Sequence, residues 1–227
     1  MSNRLLAVAA AMMLAMLGAC ATGPSVKDYT AFRAESPRSI LVVPALNNTV
    51  NVPAPDYFLS TISRPFAERG YYVFPAHMVK RTMEDDGLGD PGLVYAADPR
   101  RLGKLFGCDS VLYVTIQRWD SKYVVISTTT TVKFDYAIKS CKTGEVLWQD
   151  EQEMAYSPHA SNSGNILGDL IAQAVLSAIE KGAPNYMPLT IQANTLAAAT
   201  PGRGVPAGPY LPARYQRDLK EFPAHGK

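Results

Sequence analysis

Three histidines, three cysteines and a formal net charge of +2 in 227 residues leave this chain poor in the groups that most chemistry needs. His77, His159 and His225 stand apart, without the His/Cys/Glu spacing of a metal site. Neither a Gly-x-Ser-x-Gly elbow nor a phosphate-cradling glycine loop occurs. Gly202, Gly204 and Gly208 follow no strand, open no helix and are interrupted by prolines. Asp85, Asp86 and Asp90 lack the closing glutamate of a calcium loop, so Glu84–Asp86 reads as a solvated helix end. Near-neutrality removes the electrostatic case for nucleic acid. These absences argue for a protein that is not an enzyme and carries no cofactor. A hydrophobic content of 47% argues against wholesale disorder.

What is present begins at the N-terminus. Arg4 precedes an apolar run, Leu5 to Leu17, too short for a comfortable bilayer span. Leu17-Gly18-Ala19-Cys20 follows. A basic start, a short apolar stretch and small residues form a secretory signal. The cysteine makes it a bacterial lipobox: residues 1–19 are removed, and Cys20 carries a diacylglycerol and an N-acyl chain. Ala21, rather than an aspartate, points to the outer membrane and a periplasm-facing domain. Cleavage leaves roughly 208 residues with a charge of about +1, enough for one ordinary core plus extensions. Cys108 and Cys141 are then an even pair in an oxidising compartment: either a disulfide or two small buried hydrophobes.

Residues 20–37 are read as the lipidated cysteine and a tether, 38–183 as the domain and 184–227 as a Pro/Gly-rich extension. Ser39 to Pro44 (SILVVP) is a strand buried on both faces. Asn47-Asn48-Thr49 is a turn. Pro55 to Arg69 is a helix with Phe58, Ile62 and Phe66 inward, Gly70 at its end and Pro65 threatening a kink or early break. Tyr71–Phe74 is a strand, Met78–Glu84 a weak helix and 85–95 a loop. Asp98-Pro99 opens a further helix, with Leu102, Leu105 and Phe106 inward and Gly107 stopping it. Val111–Arg118 is a strand, and Trp119-Asp120-Ser121 a turn. Lys122–Lys139 alternates, placing Thr128 through Ile138 on one face and Lys133, Asp135 and Lys139 on a solvated one. Glu145–Tyr156 returns beside it. The result is an α/β (α+β) domain: a mixed, mostly antiparallel sheet with helices packed on it.

Gly164 to Lys181 is the strongest helical pattern, apolar over most of its circumference. Sheet and tail cover it, or it is a subunit interface through Ile166, Leu170, Val175 and Ile179. Residues 184–227 hold seven of the 17 prolines, and Tyr210 in GPYLP is an aromatic anchor for docking or partner contact.

Three stretches, ILVVP (40–44), FGCDSVLYVTI (106–116) and TGEVLW (143–148), resemble the periplasmic α/β domain of the TolB N-terminal domain, the curli-secretion lipoprotein CsgG and the lipoprotein activators of penicillin-binding proteins. More narrowly, RGYYVFP (69–75), Gly107 to Trp148 and GPYLP (208–212) resemble a bacterial lipoprotein family of unknown function, first noted among neisserial surface antigens. That resemblance implies an outer-membrane lipoprotein beside a CsgG-like partner, with no catalytic residue to carry over. CsgG builds a membrane barrel from two extended hairpins. Here charges at Lys133, Asp135 and Lys139 oppose insertion.

The leading expectation is a membrane-tethered binding or scaffold subunit of an envelope assembly, with a CsgG-like partner or as a homo-oligomer. The alternatives are a regulator of peptidoglycan synthesis and a periplasmic ligand sensor using Tyr71, Tyr72 and Trp119 in a cleft. A 17-residue tether spans about 60 Å at most, which disfavours reach through the wall.

Overall fold

The computed structural model describes residues 26–124, 127–158, 179, 182, 184–211 and 218–224. The chain enters through α1 (Thr30–Glu35), β1 (Ser39–Val42) and the short β2 (Leu46–Asn47). Next come α2 (Ala54–Glu68), β3 (Tyr72–Val73), α3 (Ala76–Asp85), α4 (Pro91–Ala96) and α5 (Pro99–Phe106). The long strands β4 (Ser110–Val124), β5 (Ser127–Ser140) and β6 (Val146–Tyr156) precede α6 (Met187–Ala199) and α7 (Asp218–Glu221).

The sheet order is β3-β1-β4-β5-β6, with β2 beside β4. The β1/β3, β1/β4 and β2/β4 pairs are parallel, whereas β4/β5 and β5/β6 are antiparallel. The sheet is therefore mixed, with its longest pairings antiparallel. Ile40 to Val43 are all buried, as an apolar β-branched run between two layers requires. On one face, Ile40, Val42, Leu112, Val114, Phe134, Tyr136 and Ile138 meet Phe58, Ile62 and Phe66 of α2 and Ala193 and Ala197 of α6. Each such large side chain contributes about 1.5–3 kcal/mol by leaving water. On the other, Leu41, Val43, Val111 and Tyr113 pack with Val79, Met83, Val94 and Leu102 from α3, α4 and α5. Beyond those helices this second face is wet. Lys133 pairs with Glu151 at 2.8 Å, Arg118 with Glu153 at 3.0 Å, and Gln117 donates to Asp135 at 2.6 Å.

Several expectations need correction. The tether is shorter than residues 20–37, because Tyr29 and Phe32 are buried and Lys27 N–H already donates to Gly202 O. Helix α2 does not break at Pro65: it runs on to Glu68, its last turn held by Phe66 edge-on to Trp148 at 6.4 Å. The 85–95 loop contains α4, capped by Asp90, which accepts from Gly92 N–H. Asp98 caps α5 as expected and Gly107 ends it at φ +70°, but Leu105 is 48% exposed rather than inward. Trp119–Ser121 is not a turn. Strand β4 runs through it to Val124, and the reversal falls between Val124 and Ser127. The phase change that imitated a turn is a bulge at Gln117, where the register with β5 slips by one residue. Residues 187–199, read as part of a Pro/Gly-rich extension, form α6.

Candidate functional site

Among the described residues two parts carry functional geometry: a clasp that joins residues 27–29 to the tail, and an aromatic cleft.

The clasp starts from side chains that are expensive to bury alone. Arg69 and Asp218 are 7% and 4% exposed, and Arg69 Nη2 donates to Asp218 Oδ2 at 2.6 Å. Arg69 Nε and Nη2 also donate to Val205 O at 3.0 and 2.8 Å, and Ala207 N–H donates to Asp218 Oδ2. Tyr29, Tyr71 and Trp148 donate to the carbonyls of Gly204, Pro206 and Arg203, at 2.7, 2.6 and 2.8 Å. Burial pushes the Tyr29 hydroxyl's pKa above its usual value. Gly208 lies so close to Gly70 O that a Cβ there would sit 2.3 Å away, so only glycine lets the tail lie flat. Lys27 and Arg203 both reach the buried Asp150 carboxylate, and burial outweighs that attraction to bring the Lys27 ammonium below its ordinary pKa. The tail therefore docks, as expected, although Tyr210 is not its buried anchor. That side chain is exposed, and Tyr210 N–H donates to Gly70 O at 3.2 Å.

The cleft lies at the N-terminal end of α2. Asn47 Oδ1 accepts from Thr49 N–H and Oγ1–H at 3.0 and 2.8 Å, and Asn47 Nδ2 donates to Asn51 O at 2.9 Å. This self-bound turn projects Val50, 99% exposed, and Val52 into solvent. The bulge at Gln117 turns Trp119 to the same face as Ile116, where it is 3% exposed. Tyr186, just ahead of α6, stacks on Trp119 at 4.8 Å, while Tyr57 is near-parallel to it at 6.2 Å. Asn51, Pro53, Tyr57, Trp119, Tyr186 and Met187 line a cavity of about 340 Å³, and among the described residues no charged side chain is part of its lining. Trp119 Nε1 and Asn51 Oδ1 are buried without a hydrogen-bond partner. One orphan donor and one orphan acceptor each cost about 1–3 kcal/mol, a cost a suitable ligand relieves.

The expected sensor cleft of Tyr71, Tyr72 and Trp119 is not brought together. Tyr71 belongs to the clasp and Tyr72 meets Phe74 on the surface, leaving Trp119 with Tyr57 and Tyr186. Cys108 and Cys141 are joined as a disulfide with Cα atoms 6.1 Å apart. Ile179 is exposed, whereas Cys20, Ile166, Leu170 and Val175 lie outside the described residues. Among the described residues no group of three or more His, Cys, Asp or Glu could hold a metal ion. No described helix is long and apolar enough to cross a membrane.

A mixed α/β domain that starts to pack six residues after a lipobox cysteine is that of a lipid-anchored envelope protein. More narrowly, the chain belongs to the GNA1162-like lipoprotein family, whose pattern it matches over residues 27–210. It is 36% identical over 148 residues to the lipoprotein NMB1124/NMB1162 of Neisseria meningitidis serogroup B, covering 65% of this chain and 68% of that one. The crystal structure of lipoprotein GNA1162 from Neisseria meningitidis matches with a TM-score of 0.52 at 35% identity, over 63% of this chain and 98% of that one. A fainter likeness is to the PelC dodecamer of Paraburkholderia phytofirmans, with a TM-score of 0.38 at 13% identity over 63% of this chain and 86% of that one. Such a level carries no functional argument. The family is one of lipoproteins, and neither its name nor its relative's names an activity.

Proposed function

We propose that this protein is a non-enzymatic outer-membrane lipoprotein, lipidated at Cys20 and facing the periplasm, that serves as a binding or scaffold subunit of an envelope assembly. Its partner on this reading is a CsgG-like lipoprotein. The observation that carries it is the apolar rim of the cleft: Val50 and Val52 stand in water on a turn whose own hydrogen bonds hold them there. Exposed, rigidly presented aliphatics beside an aromatic cleft suit a contact surface better than a solvated loop.

The anchor supports the same reading. Five residues separate Cys20 from Val26, a reach of about 20 Å over the six steps when fully extended. That keeps the domain close to the membrane and raises its effective concentration for partners there. It also argues against the alternative of a regulator reaching across the wall to a penicillin-binding protein. The cleft is displaced from the anchored end: Trp119 pairs with Val132, four residues along β5 from Tyr136, which pairs with Asp150 under Lys27. Four strand residues place it about 13 Å further on.

A photo-crosslinking residue at Val50 tests the reading in living cells, with Lys104 on α5 as the control. Adducts with a CsgG-like lipoprotein from Val50 and none from Lys104 are expected. Adducts with a penicillin-binding protein would replace this reading by the alternative, and equal, diffuse labelling from both sites would sink the contact surface.

A further inference from the structure

Beyond a protein partner, the cleft itself has the chemistry of a ligand site. We propose that the Tyr57–Trp119–Tyr186 cleft takes a neutral, N-acetylated sugar ring. Three observations converge. Tyr57, Trp119 and Tyr186 give the walls aromatic faces, and among the described residues no charged side chain lines them, which suits the apolar C–H faces of a pyranose and disfavours an anion. The two unpartnered atoms, an indole N–H and an amide oxygen, need one acceptor and one donor. A secondary acetamide carries both, on opposite sides of one amide plane, C=O for Trp119 and N–H for Asn51. The cavity, about 340 Å³, sits at the small end of the range for compact ligands.

A peptide bond offers the same pair of groups, so a peptide is the competitor that the test must exclude. β5 pairs with β4 along its length, whereas β1 and β2 pair with its other edge up to Ile116, short of Trp119. Both orphan atoms are buried and belong to residues that line the cavity. Tyr57, half-exposed and joined by no hydrogen bond to the core, is the ring that shifts to admit the ligand and restack upon it.

The test is a titration of the lipidated full chain, held in a sugar-free detergent, followed by tryptophan emission. Of the two tryptophans, Trp148 is pinned to Arg203 O in the clasp, so a ligand-dependent change reports Trp119. The β-1,4-linked trimer of N-acetylglucosamine is expected to saturate the signal, and maltotriose, which lacks the acetamide, to bind about tenfold more weakly or worse. Tyr57→Ala and Asn51→Ala should each weaken the trimer about tenfold without lowering the melting temperature, because neither side chain is part of the core. Co-sedimentation with peptidoglycan sacculi or with lipopolysaccharide vesicles then separates the two sources of such a ring. The proposal is overturned by no saturation up to about 10 mM trimer, by equal affinity for maltotriose, or by a peptidoglycan stem peptide binding in the sugars' place.

Discussion

Asp218→Ala isolates the clasp. The substitution removes the carboxylate that accepts from Arg69 Nη2 at 2.6 Å and from Ala207 N–H. Arg69 keeps its two bonds to Val205 O and its place over the Phe222 ring, 5.2 Å from the centroid, but its charge is left buried without a counter-ion. Breaking a buried pair from one side costs about 3–5 kcal/mol, mostly the desolvation of the survivor. In a domain of this size each kcal/mol lowers the melting temperature by roughly 2–4 °C, so a fall of about 6–20 °C is expected. Urea unfolding with an unchanged slope would assign the loss to stability rather than to a changed end state. The effect has a local signature too. Arg203 sits in the docked tail, and trypsin should cut there faster in the variant, before global unfolding. The double variant Arg69→Met with Asp218→Leu, which buries no charge, should recover most of the loss. An Asp218→Ala loss below about 1 kcal/mol would refute the clasp as a buried electrostatic lock.

Other perturbations follow from the same structure. Cys20→Ala should move the protein from the membrane fraction to a soluble one; unchanged sedimentation with outer membranes would remove the lipid anchor. Replacing Cys108 and Cys141 together by Ser opens a loop with a sequence separation of 33 and should lower the urea-unfolding free energy by about 3–4 kcal/mol, an effect that reductant reproduces in the wild type. Asn194→Ala breaks a buried relay in which Tyr136 O–H donates to Asn194 Oδ1 at 2.7 Å and Asn194 Nδ2 donates to Thr61 Oγ1 at 2.9 Å. It should cost about 1–3 kcal/mol, and a neutral result in thermal melts would mean that water replaces the amide. Asp98, bonded to the Arg100 side chain and backbone N–H, has its carboxyl pKa lowered from 3.8 to about 2. A depressed folded pKa means stabilisation that is complete above the unfolded value and lost as pH falls through the folded one. Asp98→Asn should therefore flatten the acid limb of stability between about pH 4 and pH 2. Identical acid limbs in the two proteins would show that Asp98 contributes nothing to it.

The elements readable from the sequence were those whose signal is local. SILVVP needs no partner to be recognised as a doubly covered strand, and Asp98-Pro99 with Gly107 marks both ends of α5 within ten residues. The alternation from Thr128 to Ile138 survives intact because both register slips place their extra residue in a neighbour of β5, Gln117 of β4 and Leu147 of β6. The misreadings share the opposite property. Helix α6 buries Leu189, Thr190, Ala193, Asn194, Ala197 and Ala198, a helical spacing, but mostly in small or polar residues that create no hydropathy contrast. Its core position is set by close approach to α2 and by the Asn194 relay, neither of which composition encodes. At Gln117 a single inserted residue looked like the end of a strand, because a bulge and a turn break alternation in the same way.

That one ambiguity also hid the cleft. With a turn at 119–121, Trp119 is a loop aromatic without neighbours; with a bulge at 117, it faces Phe134 at 6.2 Å and joins the core face. The bulge thus spends a ladder pairing to aim an indole at a place where Asn51, Tyr57 and Tyr186 converge from elements far apart in the chain. Sheets tolerate such insertions at a cost, and they concentrate where a side chain must be re-aimed. If the bulge served packing alone, the indole N–H would be expected to find a partner, as buried tryptophans usually do and as Trp148 does at Arg203 O. Trp119 has none. Replacing Trp119 by β-(3-benzothienyl)alanine separates the two roles: it keeps the bicyclic ring stack and exchanges only the N–H for sulfur. A stability gain with loss of sugar binding would show that the orphan donor is held for a ligand, whereas unchanged binding would reduce Trp119 to a packing residue.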